Sequence, residues 1–482
     1  MSAQSFVPPV PPDHLLDQLA AVVQTAGTGA DAVEIALLGR AGEYTRFAGE
    51  RVHQPQDITE TQFTVRAIVD GHAARAATGV IGDLAATVGR AVGLARDLAK
   101  LAAGPGGATV AEPAALPELA LWHDDTAAFD GAERGRLAAW TMATAVAAGG
   151  SAAGMFGRAV TQQAVVNSAG VAHQMVATEA IGSLTAIVAD GTSHWIDLHR
   201  SADALDIEES VRRTVREAVA GRGRGPLPDG VYTVVLGPQA AGELLNFLEP
   251  FGFSGELAAA HVGLVANRAG ERIASPLVTI ADDATALVGL PFGFDIEGTP
   301  KRGVPLLTAG VVGEAVTDLD RARALGTRST GHAHVAREEV PSPAAANIVF
   351  SAGESTEQEL IAGVERGVYI QRFWYTRLVD RVAGTITGVS RDGCFLIENG
   401  RLAAPVAGAR FTHSVLDFLS TVDGVGTRLR SQPVMNVWNG SVSAPALRGH
   451  GFRFGAASVA SSAGSSPGAA AGAAASAAEE TR

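Results

Sequence analysis

Residues 244–283 read LLNFLEPFGFSGELAAAHVGLVANRAGERIASPLVTIADD, and residues 291–333 read PFGFDIEGTPKRGVPLLTAGVVGEAVTDLDRARALGTRSTGHA. The apolar spacing of the first stretch predicts a helix. The second breaks into turns and short strands, because Pro291, Gly298, Pro300 and Pro305 punctuate it. Asp282, Asp283, Asp295, Glu297 and Arg302 gather in those turns. Paired carboxylates can do acid–base work, but Asp among Gly and Pro is expected to cap turns. A strand-turn unit from Pro305 to Val316 follows, then Arg321, Arg323 and Gly326, and Ser329, Thr330, Gly331, His332 and Ala333 close the stretch.

Working outward, residues 1–12 are Pro-rich and expected to be mobile. Residues 13–103 read as a first α/β domain: a helix from Asp13 to Ala26, strands from Ala32, a hairpin turning at Asp70 and Gly71, and a long amphipathic helix from Asp83. A Pro/Gly/Ala-rich linker covers 104–122, and 123–225 repeats the small-sheet-and-helix pattern as a second domain. The remainder, 226–455, reads as a larger β-rich domain, with a capping box expected at Ser355 and Gln358 and a tight hairpin turn at Asn399 and Gly400. Residues 456–482 are Ala/Ser/Gly low complexity and are expected to be disordered.

With 482 residues the chain can bury a large core, and its net charge of -13 does not favour a phosphate-binding surface, so no nucleic-acid partner is expected. One cysteine, Cys394, leaves no disulfide framework and no cysteine zinc cluster, which fits a reducing, cytoplasmic setting. The start of the chain lacks a signal-peptide pattern, and Leu137 to Gly154 is too weakly apolar for a bilayer span, so no membrane role is expected. The only Gly-x-Ser-x-Gly match, Gly464 to Gly468, lies in the tail with no strand before it and is not a nucleophile elbow.

Glu256 and His261 are five residues apart, roughly 140° off one helix face, so a regular helix does not aim them at one metal. His332 and His334 share a face if the segment is a strand, but two imidazoles still need a third ligand. Cys394 is expected to be a small buried core residue. Arg321, Arg323 and Arg328 suit either a peptide carboxylate, a partner surface or a solvated helix face.

The strings Pro291–Pro305, Arg321–Ala333 and Phe395–Val406, within a likeness running from about Ala32 to Phe454, resemble the TldD/PmbA family, once called modulators of DNA gyrase. The PmbA branch, also called TldE, is the more similar. The resemblance implies an α+β chain of the TldD/PmbA fold, with two small sheet-plus-helix N-terminal domains and a larger β-rich C-terminal domain. The family pairs a zinc peptidase, TldD, with a related TldE subunit that holds no metal. The active subunit carries His-Glu-x-x-x-His on a helix, its imidazoles on zinc and its glutamate as general base, with a cysteine near the C-terminus. Here none of the 12 histidines precedes a glutamate, Glu243 to His261 holds one histidine, and no cysteine follows Cys394.

The resemblance therefore implies a non-catalytic subunit with no catalytic or metal-binding residues, and zinc held by a TldD-like partner in a heterodimer. An unfolded peptide would bind as an added strand in a shared cavity. His261, Arg328, Ser329, Thr330, Gly331 and His332 are the candidates to line it. Two alternatives stay open: a peptidase in its own right with an unorthodox metal site built from His261, His332 or His334, and a homodimeric peptide-binding scaffold.

Overall fold

The computed structural model describes residues 6–334, 342–434 and 440–455. The expected mobility of residues 1–5 and the expected disorder of 456–482 fall outside the described residues. Residues 6–12 are held in place: Val10 and the Gln162 side chain exchange two hydrogen bonds of 3.1 and 2.9 Å.

The N-terminal half contains α1 (Leu15–Ala26), β1 (Ala32–Ala48), β2 (Arg51–Val69), β3 (His72–Thr78), α2 (Leu84–Leu101), α3 (Asp124–Ala128), α4 (Gly131–Ala147), β4 (Ser151–Asn167), β5 (Ala172–Val188), β6 (Gly191–His199) and α5 (Ile207–Ala220). The two strand triplets join edge to edge through β1 and β4 into one six-stranded sheet, β3-β2-β1-β4-β5-β6. Alternation along the strands divides its faces. Val33, Ile35 and Val65 pack under α1 and α2, while Phe156, Leu184 and Trp195 pack under α4 and α5. The other face turns to the C-terminal half, where Ala36, Leu38 and Val165 meet Phe292, Phe294 and Ile296.

The segment expected to be a linker is a strap across the edge of this sheet. Gly106 N donates to Asp70 O at 2.9 Å and Ala108 N to Gly71 O at 2.9 Å, and Ala111 and Leu121 are buried. A methyl added at Gly106 would lie 2.0 Å from the Gly71 carbonyl oxygen, whereas Gly104 faces open space. Gly106→Ala is expected to cost about 1–3 kcal/mol through this overpacking. A lower urea midpoint at unchanged slope, absent in Gly104→Ala, is the readout.

The C-terminal half runs through β7 (Gly230–Leu236), α6 (Pro238–Leu245), α7 (Gly255–Ala259), α8 (Gly263–Arg268), β8 (Ile280–Asp282), β9 (Val304–Thr308), β10 (Val311–Val312), α9 (Leu319–Ala324), β11 (Ala333–His334), β12 (Ser342–Pro343) and β13 (Asn347–Phe350). It continues with α10 (Glu357–Ala362), β14 (Arg366–Asp380), β15 (Thr385–Glu398), β16 (Arg401–Pro405), β17 (Arg410–Ser414), α11 (Val415–Ser420), β18 (Gly424–Val425), β19 (Arg430–Pro433), β20 (Ser441–Ala444) and β21 (Leu447–Phe454). One sheet has the order β10-β9-β8-β13-β20-β19. In the other, β14-β7-β21-β17-β15 closes into a ring because β14 also pairs with β15. Phe373, Phe411, Phe418 and Phe452 cluster in its core, their rings 4.5 to 5.8 Å apart. Burying each is worth about 1.5–3 kcal/mol.

The capping box sits one residue later than expected. Ser355 bridges to Gly426, so the helix starts after Thr356, whose hydroxyl accepts from Glu359 N at 3.2 Å while the Glu359 carboxylate accepts from Thr356 N at 2.7 Å. Asn399 and Gly400 both take positive φ, 50° and 74°, as a two-residue hairpin turn requires.

Candidate functional site

The helix expected from Leu244 onward is broken. α6 ends at Leu245, a π-turn spans Glu249–Phe253 with Gly252 at φ 126°, and α7 and α8 are single short turns. Pro250 withdraws an amide from any continuing helix, and Gly252 takes a conformation that only glycine tolerates. Phe247 and Phe251 stack here with ring centroids 6.4 Å apart, both buried. His261 lies between α7 and α8 at φ 57° and is exposed. Glu256 is bound by Arg321, whose Nε donates to its carboxylate at 2.6 Å.

His332 is sealed in the interior. Its Nε2 lies 3.0 Å from Asp282 Oδ1, with both side chains fully buried, although the two atoms are not aligned for a regular hydrogen bond. Its Nδ1 is 2.9 Å from Thr330 O. Asp282 Oδ2 accepts from Ala346 N at 2.5 Å and Asn347 N at 3.1 Å, tying β8 to the start of β13. Burial pushes the Asp282 carboxyl up, but the His332 ring, Lys301 and the Asn347 amide outweigh it and bring it down to about 2. Burial lowers the Lys301 ammonium, and Asp282 and Asp295 partly offset that. His334 is pushed down to about 4 by burial and by Lys301.

Ser329, Thr330 and Gly331 are used by the loop itself. Thr330 Oγ1 accepts from Thr317 N at 2.7 Å, Ser329 Oγ donates to Thr317 O at 3.2 Å, and a Cβ at Gly331 would lie 2.4 Å from Pro300 O. Asp295 is a turn cap: Oδ1 accepts from Glu297 N and Thr299 N, at 3.0 and 2.9 Å, and Oδ2 from Ala333 N at 2.8 Å. Burial and the neighbouring Glu297 hold its carboxyl well above the usual range. Arg328 is exposed. Of the six candidates, four thus lie in one packed segment, while His261 and Arg328 face solvent.

Two features escaped the sequence reading. The first is a polar row across the sheet, Glu34 opposite Arg66 and Arg66 opposite Arg75, facing the 291–320 segment. Arg66 Nη1 and Arg75 Nη2 each lie 3.6 Å from Glu297 Oε1. Burial drives Glu34 up to about 8, with Arg66 holding it back. Each charge sits alone in a locally uncharged, mostly apolar run, AVEIALL at 32–38, FTVRAIV at 63–69 and AARAA at 73–77, and that was the available signal. The second is a cavity of about 370 Å³ on the same sheet face, lined by Arg40, Tyr44, Gln56, Ile58, Met155, Glu179, Ile181, Leu198 and Leu290 among others. Tyr44 lies flat over Gly157, where a Cβ would come within 2.4 Å of the ring. Arg40 and Glu179 form a 2.5 Å ion pair. Beside it, β2 from Arg51 to Gln62 has no strand on its outer side among the described residues, since β3 pairs only from Phe63 onward. An open strand edge next to an apolar-walled cavity can hold an extended peptide and one of its side chains.

A family model described as the PmbA/TldA metallopeptidase C-terminal domain matches residues 229–456. Residues 229–456 thus belong to the TldD/PmbA family. The chain is 28% identical over 279 residues to a metalloprotease of Methanothermobacter thermautotrophicus, covering 56% of this chain and 61% of that protein. Against the metalloprotease TldD homolog of Haemophilus influenzae the identity is 30% over 221 residues, covering 45% of each. The matched stretch thus spans about half to three-fifths of these curated relatives. Two crystal structures share the fold. TldE from Thermococcus kodakarensis has a TM-score of 0.80 at 20% identity, covering 91% of this chain and 100% of that one. A putative modulator of DNA gyrase from Thermotoga maritima has a TM-score of 0.76 at 21% identity, covering 91% and 99%.

Metallopeptidases of this family imply a zinc ion, and the residues described here do not fit one. No group of three His, Cys, Asp or Glu side chains among them is placed to hold a metal. Residues 243–268 hold a single histidine, the exposed His261, and Lys301 stands beside the His332–Asp282 pair as a competing cation. Cys394 is buried, and that burial pushes its thiol up to about 12, away from the thiolate that zinc requires. Among the described residues, no helix is long and apolar enough to cross a membrane.

Proposed function

We propose that this chain is the TldE-type, metal-free subunit of a TldD/TldE peptidase that cleaves unfolded or small peptides in the cytoplasm. The observation that carries the reading is the broken 243–268 segment, which offers one exposed histidine where the catalytic subunit needs a zinc-binding helix. The TldD-type partner supplies zinc, general base and chemistry. This chain supplies part of the wall that holds the peptide extended, through the open edge of β2 and the 370 Å³ cavity. Its Arg40–Glu179 pair cancels its own charge and leaves Arg46 as the remaining charge of the lining, which favours neutral or acidic side chains in that cavity. Ser329 to His332 shape the loop behind the wall, and His261 and Arg328 lie on the outer surface.

The test is zinc content and peptidase activity of the purified chain, alone and mixed with the TldD-type protein of the same genome, on an unfolded peptide. Substoichiometric zinc alone and activity only in the mixture are expected. Stoichiometric zinc with activity in the isolated chain, lost in His261→Ala, would overturn the reading.

A further inference from the structure

The ring of strands in the C-terminal half has one uncovered side. β7 pairs with β14 only from Gly367 to Ile370, and no described strand pairs with the outer edge of β14 from Gln371 to Asp380. α6 covers the beginning of that edge, where the buried Thr376 hydroxyl bonds Glu243. Beyond it, Arg377 to Asp380 and the turn to Ala383 stand in solvent. Five apolar side chains are exposed there: Trp374 at 48%, Tyr375 at 68%, Leu378 at 36%, Val379 at 57% and Val382 at 87%. Residues 371–384 contain neither lysine nor proline, two of the usual guards of a free edge, and rely on Arg377, Asp380, Arg381 and the register shift after Trp374 instead.

The rings are preset. The β14–β15 register shifts between Trp374 and Arg377, and Tyr375 takes φ 55°, a left-handed conformation that aromatic residues rarely adopt. Arg377 stacks on the Tyr375 ring at 4.4 Å, and Trp374 lies between Arg372 and Arg391 at 5.2 and 5.0 Å. Rigid aromatic rings and arginines of this kind lose little freedom on binding. Asp392 is shared by Arg372 at 2.6 Å and Arg391 at 3.7 Å, so Arg372, Arg377, Arg381 and Arg391 stand against two hairpin carboxylates, Asp380 and Asp392. The patch is therefore basic on a chain whose net charge is -13. Leu378, Val379 and Val382 give a nucleic acid nothing to bind, so an acidic protein surface is the better complement.

We propose that the outer edge of β14 and the tip of the β14–β15 hairpin form the docking surface for the catalytic TldD-type subunit, which adds a strand edge flanked by carboxylates. The proposal rests on the reading of this chain as the paired subunit. The experiment measures binding of the full-length chain to the separately purified TldD-type protein by sedimentation and by surface capture. Leu378→Glu/Val382→Glu tests the patch, and Leu101→Glu, on the distant and 84% exposed end of α2, serves as control. The hairpin variant, with an unchanged melting curve, is expected to bind at least about 100-fold more weakly. Raising salt is expected to weaken the wild-type complex. Equal binding by the hairpin variant overturns the docking surface while leaving the paired-subunit reading intact. A wild-type chain that never binds the TldD-type protein overturns both. A self-dimer broken by the variant, or an intact complex with only a raised KM for peptide, shows another occupant and overturns the assignment.

Discussion

Replacing Arg66 by methionine is expected to lower the unfolding free energy by about 3–5 kcal/mol near pH 8, the range for breaking a buried ion network from one side. Arg66 is 1% exposed, donates to Thr109 O at 2.8 Å, and lies 3.4 Å from Asp320 and 3.6 Å from Glu297. It thus joins the first sheet, the strap and the 291–320 segment of the C-terminal half. Methionine fills most of the volume but leaves Glu34 and Glu297 facing only Arg75. Glu34 is already raised from 4.5 to about 8, first by burial, so over that window the native state binds more protons than the unfolded chain. Stability from this group therefore falls as pH rises from about 4.5 to 8. Without Arg66 both carboxyls are driven higher, the slope steepens, and the penalty shrinks towards pH 5. Urea unfolding at pH 5 and pH 8 checks this, and a penalty independent of pH would sink the electrostatic account. Glu297→Gln in the same background is expected to recover part of the loss, because the two positions share one network.

That row shows where the sequence was legible and where it was not. Local periodicity and turn chemistry are short-range, so the helix from Leu15, the hairpin at Asp70 and Gly71 and the turn at Asn399 and Gly400 were readable. The pairing of β1 with β4, from Glu34–Asn167 to Phe47–Gly154, was not. Both strands are apolar along much of their length, and nothing local fixes an edge-to-edge partner more than a hundred residues away. The 244–268 stretch misled because its apolar spacing is helical while Pro250 and Gly252 interrupt the backbone; periodicity outweighed two breakers that decide the local fold.

In the candidate site, His332 could be singled out as a letter, but its partner Asp282 lies on another strand of the fold and carries no spacing signal. Lys301 had a compositional one. Only Lys100 and Lys301 are lysines among 37 basic residues, and a chain that otherwise uses arginine places one of them beside Asp282 and Asp295. An ammonium adjusts its charge on burial where a guanidinium does not, which suits a closed pocket with carboxylates on two sides.

Asp282→Ala is the second substitution with a large expected effect, about 3–5 kcal/mol, because it strands two backbone amides and a buried imidazole together. Asp282 Oδ2 is the acceptor given to Ala346 N and Asn347 N, and Oδ1 faces His332. Its carboxyl is lowered from 3.8 to about 2, so between those values the unfolded chain binds more protons than the native one. The contribution is thus fully present above about pH 4 and disappears as pH falls through 2, which amounts to roughly 2 kcal/mol of the total. The alanine variant is expected to lose that acid dependence along with its stability, as thermal melts between pH 2.5 and 7 would show. The same variant separates structure from function. If it melts early but supports the TldD-type subunit normally at low temperature, the His332–Asp282 pair is a strut that fixes β8, β13 and the Ser329–His332 loop behind the cavity wall. A variant that melts like the wild type yet fails in the mixed peptidase assay would instead place this pair in contact with the bound peptide.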